Sequence, residues 1–424
     1  AAALGVGLFL TGGLLLVLPS RSIFLAFAGL FGVVMGIALL TPLTTTFFMA
    51  ALAPMARKSF GVLGAMAARG VVTAMSRTAP ALAALVVAVS VTVGLGTMIT
   101  SFRATVVQWL DGTLQADIYV SVPGLVSSRP QGTLAPDVVR RLTQAPGLDG
   151  VSTYRGAEID TSEGMIRAVA LDLFPRGERA FQFKEGGGAS AFASFREGEG
   201  VFLSESFSYR RGLAAGDSLR VLSESGPVAF PVAGIFFDYG SDQGVVMMAR
   251  DTYDRYWSDR GITSLGLFVQ DAGFLDAMVD DLRARVGEEQ QVLIRSNLDL
   301  KAVSLEVFDR TFAITGVLRM LAFIVACIGV LSALMALQLE RGRELGVLRA
   351  VGVTPGQVGK LVTVQTGLMG MVAGVLAVPA GLLLAVVMIF VVNKRSFGWT
   401  LQLELAWPIV LQAVGLAVVG LSLI

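Results

Sequence analysis

Long apolar runs alternate with short polar segments along most of the chain, and one long polar stretch, residues 115–300, interrupts them. Each apolar run is close to or above the roughly 20 residues that an α-helix needs to cross a bilayer. The runs cover residues 1–19, 22–53, 80–100, 320–339, 361–392 and 405–424. We therefore predict six membrane-spanning helices, with a polar domain between the third and the fourth.

The distribution of basic residues predicts the topology of these spans. Residues 55–79 contain four basic side chains and no acidic one: Arg57, Lys58, Arg69 and Arg77. The positive-inside rule places this segment in the cytoplasm, and its spaced apolar positions predict an amphipathic segment on the membrane surface. Residues 115–300 are then extracytoplasmic. Lys394 and Arg395 lie in a predicted outer loop and run against the rule.

Residues 115–300 have the composition of a soluble domain and contain no apolar run of membrane-spanning length. A strand–helix–strand order is predicted at both ends: 116–122, 136–145 and 166–173, then 265–270, 273–286 and 291–295. Between them, residues 200–248 alternate short strands with Gly-rich turns, which predicts a small β-barrel or sandwich. The fold class is an α-helical integral membrane protein with a large extracytoplasmic α+β domain, a βαβ-type sandwich with a β-rich insertion.

Two predicted spans continue into the polar domain without a strong helix breaker. Residues 101–110 follow the third span and include Arg103 and Trp109. Residues 304–318 precede the fourth span and include Val307, Asp309 and Arg310. We therefore predict that the domain stands on two helical stalks. Residues 80–114 combine a span with its stalk, and residues 301–339 do the same.

The composition excludes several classes of function. The 424 residues are 54% hydrophobic and 15% charged, with a mean hydropathy of +0.71, which is too apolar for a soluble protein. A formal net charge of +1 gives no electrostatic case for binding nucleic acid. The sequence has no His and one Cys, Cys327, within an apolar run. We predict no catalytic, cofactor-binding or metal-binding residue in this chain.

A short charged segment, residues 340–360, separates the fourth and fifth predicted spans. Its apolar residues recur at three- and four-residue spacing, which predicts a short amphipathic helix that ends at Gly352. Such a helix is marginal in water by itself, so it should lie against the bilayer surface or a partner protein. Gly359-Lys360-Leu361 is not a phosphate loop, because Thr354 and Leu361 replace the required Gly and Ser or Thr.

The run RELGVLRAVG in this segment resembles the signature of FtsX-like permeases, the membrane subunits of the MacB, LolC/LolE and FtsX group of ABC systems. The resemblance implies that residues 340–360 form a coupling helix that docks on a separate ATPase subunit, where ATP and Mg²⁺ would be bound. The coupling residues that it implies are Arg343, Glu344, Leu345, Gly346, Leu348, Arg349, Ala350 and Gly352.

The same resemblance implies an architecture. The last four spans and the inserted domain match one FtsX-like unit, and the two-span hairpin of residues 1–54 resembles the connector of ten-span permeases. We expect a fragment that resembles the C-terminal half of such a member, with a second unit supplied by the missing half or by another copy. In residues 361–424, small residues spaced for close helix packing are Gly367, Gly370, Gly374 and Gly381. The family often has Glu near the start of this helix, where Gln365 and Thr366 stand here.

The expected function is that of a permease subunit in a bacterial inner membrane, acting by mechanotransmission. An ABC ATPase, expected in two copies, would drive work on a substrate or a periplasmic partner, such as lipoprotein, lipid, drug or toxin export. A different reading is a membrane-anchored sensor whose external domain controls a partner such as a cell-wall hydrolase. A solute carrier ranks third, because the cores of the predicted spans carry no charge.

Overall fold

A computed structural model describes residues 1–73, 75–123, 132–287, 289–340, 346–347, 350 and 352–422. The chain divides into two compact units. The first contains residues 1–104, 310–396 and 400–424, and the second contains residues 105–309 and 397–399.

The α-helices are numbered in chain order. In the membrane part they are α1 (Ala2–Val17), α2 (Ile23–Thr73), α3 (Met75–Thr113), α9 (Asn297–Glu340), α10 (Pro355–Val387), α11 (Lys394–Phe397) and α12 (Trp407–Ser422). Between α3 and α9 the chain forms α4 (Pro136–Thr143), α5 (Gly188–Arg196), α6 (Glu205–Arg211), α7 (Arg250–Tyr256) and α8 (Leu275–Val286). A π-helical turn, Met388–Asn393, joins α10 to α11.

The strands all belong to the second unit. They are β1 (Ile118–Ser121), β2 (Leu148–Thr161), β3 (Gly164–Asp172), β4 (Phe183–Gly186), β5 (Val201–Ser204), β6 (Ser218–Ser223), β7 (Gly226–Phe236), β8 (Val246–Ala249), β9 (Ser264–Val269) and β10 (Leu293–Ser296). Short 3₁₀ helices lie at Pro175–Ala180 and Ala272–Phe274.

Among the described residues, three helices are long and apolar enough to cross a membrane. They span Ile23–Thr73, Thr78–Thr113 and Pro355–Phe397, and Ala2–Val17 is a shorter apolar helix. Together with the α+β domain described below, they confirm the predicted class of a helical membrane protein with a large α+β domain. The full count of six spans stays a prediction.

Helices α1 and α2 form a hairpin whose contact surface is made of small residues. A Cβ atom at Gly12 would lie 2.7 Å from the carbonyl oxygen of Gly29, so any other residue would force the two helices apart. Helix α2 continues past residue 53, where the sequence predicted a span to end, and Pro42 and Pro54 lie inside it. It changes direction at Gly61, whose φ of +64° favours glycine. The predicted amphipathic segment 55–79 is thus divided between α2 and α3.

The largest buried cluster of the first unit lies between α2, α3, α10 and α12. Side chains on α3 such as Leu82, Val86 and Val89 are buried with Val372 and Ala377 of α10. The pattern is that of a helix bundle packed through small and medium aliphatic groups.

One half of the second unit is a split βαβ fold. Strands β10, β1, β9 and β2 lie in that order with every neighbouring pair antiparallel, so β1 lies between the parallel strands β9 and β10. Helices α4 and α8 pack beside each other, with Val138, Leu142 and Leu282 buried over Ile118 and Leu267. This order is the ferredoxin-like arrangement, and it confirms the prediction of two βαβ-like units at the ends of the domain.

The other half is a six-stranded barrel. From β2 the pairing passes through β3, β8, β5, β7 and β6, and Asp160 of β2 then pairs with Leu222 of β6 and closes the ring. Alternate residues point inward and fill the barrel, including Ile166, Val221 and Met248. The barrel confirms one of the two predicted forms of the β-rich insertion.

One strand assignment from the sequence was wrong. The strand that follows α4 and completes the first βαβ unit is β2, whereas the segment predicted at 166–173 forms its hairpin partner β3. Strand β2 is shared between the two halves of the domain, and only Ser152 and Ile159 of its residues are fully buried. In the sequence, residues 148–156 of β2 (LDGVSTYRG) show no regular alternation of apolar and polar residues, which is the pattern that identifies a strand.

Candidate functional site

The coupling segment is described at Gly346, Val347, Ala350 and Gly352. The first three are helical and exposed, and Val347 is exposed over 62% of its surface. Gly352 has a φ of +101°, which suits glycine at the point where a helix ends. The other predicted coupling residues lie outside the described residues: Arg343, Glu344, Leu345, Leu348 and Arg349.

Helix α10 begins at Pro355, inside the 340–360 segment, and its first turn carries a capping box. The Thr354 hydroxyl accepts the Gln357 backbone N–H at 3.3 Å, and the Gln357 side-chain oxygen accepts the Thr354 N–H at 3.0 Å. Pro355 occupies the first helical turn, where its missing N–H is not needed. The capping box fixes where α10 begins, so the loop between Gly352 and α10 is short.

The two predicted stalks are parts of unbroken helices. Helix α3 is continuous over Met75–Thr113 and α9 over Asn297–Glu340, so each includes both a predicted span and its stalk. Arg103, Val307, Asp309 and Arg310 are exposed on these helices, and Trp109 is half-buried.

Side chains join α3 to α9 at two levels. Near the domain, Lys301 forms a salt bridge with Asp111, and the Asn297 amide donates to the carbonyl of Leu114 at 2.6 Å. Closer to the predicted spans, the rings of Phe102 and Phe312 meet edge to face at 5.7 Å. These contacts hold the helices side by side along part of their length.

An aromatic set contacts the end of α3 within the second unit. Trp109 meets Tyr239 edge to face at 5.8 Å, Tyr239 meets Trp399 at the same distance, and Trp399 stacks on Phe397 at 4.9 Å. Burial raises the pKa of Tyr239, so its phenol stays neutral at physiological pH. Trp109 was predicted from the sequence, but Tyr239 and Trp399 were not. The signal that could have indicated Trp399 is a Trp in a short polar loop between two spans.

The predicted outer loop around residues 394–404, which includes α11, forms hydrogen bonds within the first unit through Arg395 and Glu404. The buried Ser101 hydroxyl of α3 accepts the backbone N–H of Glu404 at 2.9 Å and donates to the Glu404 carbonyl at 3.1 Å. The Arg395 guanidinium donates to the carbonyls of Leu16 and Leu18 at 2.8 and 2.9 Å. Arg395 therefore satisfies the Leu16 carbonyl at the C-terminal end of α1 and adds a second bond to the Leu18 carbonyl, which already accepts the Ser20 N–H at 2.8 Å.

The predicted small-residue surface of α10 is only partly used for packing. A Cβ at Gly381 would lie 2.6 Å from the Val93 Cβ, and one at Gly374 would lie 3.2 Å from Val414. Gly370 is buried. For Gly367 the packing role is not supported among the described residues, because a Cβ there would meet no atom within 4 Å.

Gly94, the glycine opposite Gly381, was not predicted from the sequence. Gly94 on α3 faces the same contact, since its Cβ would lie 3.0 Å from the Gly381 carbonyl oxygen. Ser90, one turn earlier, donates a hydrogen bond to the Ala377 carbonyl at 3.2 Å. Gln365 and Thr366, which stand where the family often has Glu, are both buried.

In the part of the chain that the structure describes, no group of three or more His, Cys, Asp or Glu side chains could hold a metal ion. The predicted lack of catalytic and cofactor sites stays a prediction.

Residues 316–424 match the family model of the FtsX-like permease C-terminal region. An uncharacterized ABC transporter permease protein of Mycobacterium tuberculosis is 40% identical to this chain. The alignment covers 98% of this chain and 49% of that protein. An uncharacterized ABC transporter permease of Methanocaldococcus jannaschii is 20% identical, and that alignment covers 45% of this chain and 48% of that protein. The chain thus spans about half the length of the curated relatives it matches. The predicted resemblance to FtsX-like permeases is confirmed.

Two solved structures align with part of the chain. The periplasmic region of MacB from Actinobacillus actinomycetemcomitans aligns with 46% of this chain and 94% of its own, at 13% identity and a TM-score of 0.33. The extracellular domain of the noncanonic ABC-type transporter YknZ from Gram-positive bacteria aligns with 43% of this chain and 100% of its own, at 10% identity and a TM-score of 0.31.

Proposed function

We propose that this chain is an FtsX-like ABC transporter permease and that it couples ATP hydrolysis in a separate ATPase to work outside the inner membrane. The 340–360 segment would receive the movement of the ATPase. The stalks would pass it to the α+β domain, which acts on a lipid-linked, drug-like or toxin substrate or on a periplasmic partner. The chain itself would catalyse no reaction.

The observation that carries this proposal is the continuity of α3 and α9. Each helix runs without a break from an apolar segment into the α+β domain. A continuous helix resists bending and can transmit an axial or rotational displacement, whereas a loop would absorb it. The ties between the helices at Lys301 and Asp111 and at Phe102 and Phe312 favour movement as a pair.

The partners and the location belong to the same proposal. We infer a multi-pass protein of the inner membrane with residues 115–300 outside. Two copies of an ABC ATPase would supply the ATP and Mg²⁺ sites, and a second FtsX-like unit would complete the assembly. The basic, acid-free stretch 55–79 supports this orientation. The resemblance of RELGVLRAVG to the family signature supports a partner surface on the coupling segment.

The docking part of the proposal predicts that Glu344→Lys and Leu348→Asp weaken ATPase binding. Glu344→Lys reverses the sign of a charge in the segment that we expect to bind in a groove of the ATPase. Leu348→Asp replaces an apolar side chain of that segment with a charged one. The measurement is the amount of nucleotide-binding subunit that copurifies with the full-length protein from native membranes, together with ATP hydrolysis after reconstitution.

Glu199→Lys is the matched control, since it makes the same charge reversal as Glu344→Lys at an exposed residue of the α+β domain, outside the coupling segment. It should leave both readouts unchanged. Normal ATPase binding and hydrolysis in both coupling variants would refute the docking assignment. If the unmodified protein copurifies with no ATPase at all, the hypothesis of a membrane-anchored sensor replaces the hypothesis of a permease subunit.

A further inference from the structure

A cavity of about 190 Å³ lies inside the second unit, between the end of α3 and the α+β domain. Its walls are mostly apolar and aromatic and include Trp109, Leu171, Phe181 and Phe236. Asp238, in the loop after β7, also lines it and is the one carboxylate among the lining residues that the structure describes. An apolar cavity with a single charged group is the usual form of a small-molecule site.

We propose that this cavity binds a small organic cation, with an ammonium group at Asp238 and an aromatic or aliphatic body between the apolar walls. The inference does not depend on the docking of an ATPase, because every lining residue belongs to the second unit.

The volume sets the size of the ligand. A cavity of about 150 Å³ lined by apolar side chains accommodates benzene. The cavity at Asp238 is somewhat larger, at about 190 Å³. It therefore has room for one ring and a short chain, roughly nine non-hydrogen atoms.

The polar groups of the cavity favour a cation over a neutral ligand. The Tyr119 hydroxyl already accepts the Ala116 N–H at 3.1 Å, and Tyr154 is hydrogen-bonded with Ser152. Asp238 accepts the Gly240 N–H at 3.0 Å, which occupies one of the several sites on a carboxylate. The remaining carboxylate capacity attracts a donor with a positive charge, and aromatic faces such as that of Trp109 add to this attraction.

The electrostatic state of Asp238 supports the same conclusion. Burial raises the pKa of its carboxyl to about 6, although the Gly240 N–H and the charge of Arg167 act in the opposite direction. At neutral pH the group is mostly ionised but poorly solvated. An ammonium ion would therefore replace water that the carboxylate has lost.

The test uses the full chain in lipid nanodiscs with 5-fluorotryptophan at its four Trp positions. The ¹⁹F resonance of Trp109 is assigned with Trp109→Phe and followed while 2-phenylethylammonium or its neutral isostere 2-phenylethanol is added. We expect saturable shifts, with the cation binding about tenfold more tightly than the alcohol, as a charge-assisted hydrogen bond implies. Empty nanodiscs measure partition of the probes into lipid.

Asp238→Asn should lower the affinity for the cation about tenfold and remove its advantage over the alcohol. Asp242→Asn is the matched control, because this exposed acid in the same loop lies outside the cavity lining, and it should bind like the unmodified protein. The Trp257 resonance, from a residue packed against Tyr253 beside the barrel, reports whether the domain stays folded.

Ala180→Leu fills the cavity without touching the acid and should abolish binding of both probes. Equal affinity for the two probes in the unmodified protein would overturn the proposal. So would unchanged cation binding in Asp238→Asn, unchanged binding in Ala180→Leu, or shifts that never saturate.

Discussion

At the scale of single residues, backbone proximity decides which of the predicted packing glycines matter. Gly381 lies where a Cβ would be 2.6 Å from Val93 and 2.8 Å from the Ser90 carbonyl oxygen. One of these atoms is backbone and cannot rotate away. Gly367 lies on the same helix, but a Cβ there would meet no atom of the described residues within 4 Å. Spacing in the sequence therefore does not distinguish a contact glycine from an open one.

This difference predicts opposite effects for the same substitution. Gly381→Leu should separate α10 from α3 and reduce stability by about 1–3 kcal/mol, the usual cost of overpacking. Gly367→Leu has free space and gains helix propensity, so it should be neutral or slightly stabilising. The measurement is the temperature at which the detergent-solubilised protein loses its monodisperse gel-filtration peak. Equal midpoints for the two variants would show that the close approach at Gly381 does not contribute to stability.

At the scale of elements, the stalk in α9 offers the sharpest test of force transmission. Val307 is 48% exposed and lies within the long helix α9. A Pro there removes one helical hydrogen bond and costs about 3 kcal/mol or more while bending the helix. We expect Val307→Pro to keep ATPase binding and ATP hydrolysis but to lose the effect of ATP on the α+β domain. Hydrogen–deuterium exchange of residues 115–300, with and without ATP, measures that effect.

Val307→Ala is the control for this variant, because Ala removes the same side chain without breaking the helix. It should keep the response of the domain to ATP. If the Pro variant also keeps a normal response, α9 does not transmit the movement and the mechanotransmission mechanism is wrong.

Elements with a strong local signal were predicted well, and those defined by distant contacts were not. The stalk helices follow from unbroken sequence, since 101–110 and 304–318 contain no Pro and Gly316 is their one glycine. Strand β2 was missed because it serves two sheet regions and lacks alternation. The cavity at Asp238 joins Trp109, Phe181 and Phe236, which are far apart in the sequence, so only the folded sheet brings them together.

At the scale of the whole molecule, charge and helix length together predict how the chain crosses the membrane. The stretch 55–79 carries basic residues without an acid, which favours the cytoplasmic side. Arg395 opposes the rule, yet it has a structural reason for its position, because it caps the carbonyls of Leu16 and Leu18. A charge that is fixed by hydrogen bonds is weak evidence about topology, and the cluster in 55–79 should decide it.

The topology prediction can be tested with two exposed serines and an impermeant maleimide, in a Cys327→Ala background that removes the one native thiol. Ser190 is exposed on α5 of the α+β domain, and Ser59 is exposed on α2 within the basic stretch. We expect Ser190→Cys to react in intact spheroplasts, and Ser59→Cys to react only after the membrane is permeabilised. Since both serines are exposed, a difference in labelling reports the side of the membrane rather than burial. Labelling of Ser59→Cys in intact spheroplasts, with Ser190→Cys protected, would invert the orientation and leave the α+β domain on the side of the ATPase, where stalks could transmit nothing outward.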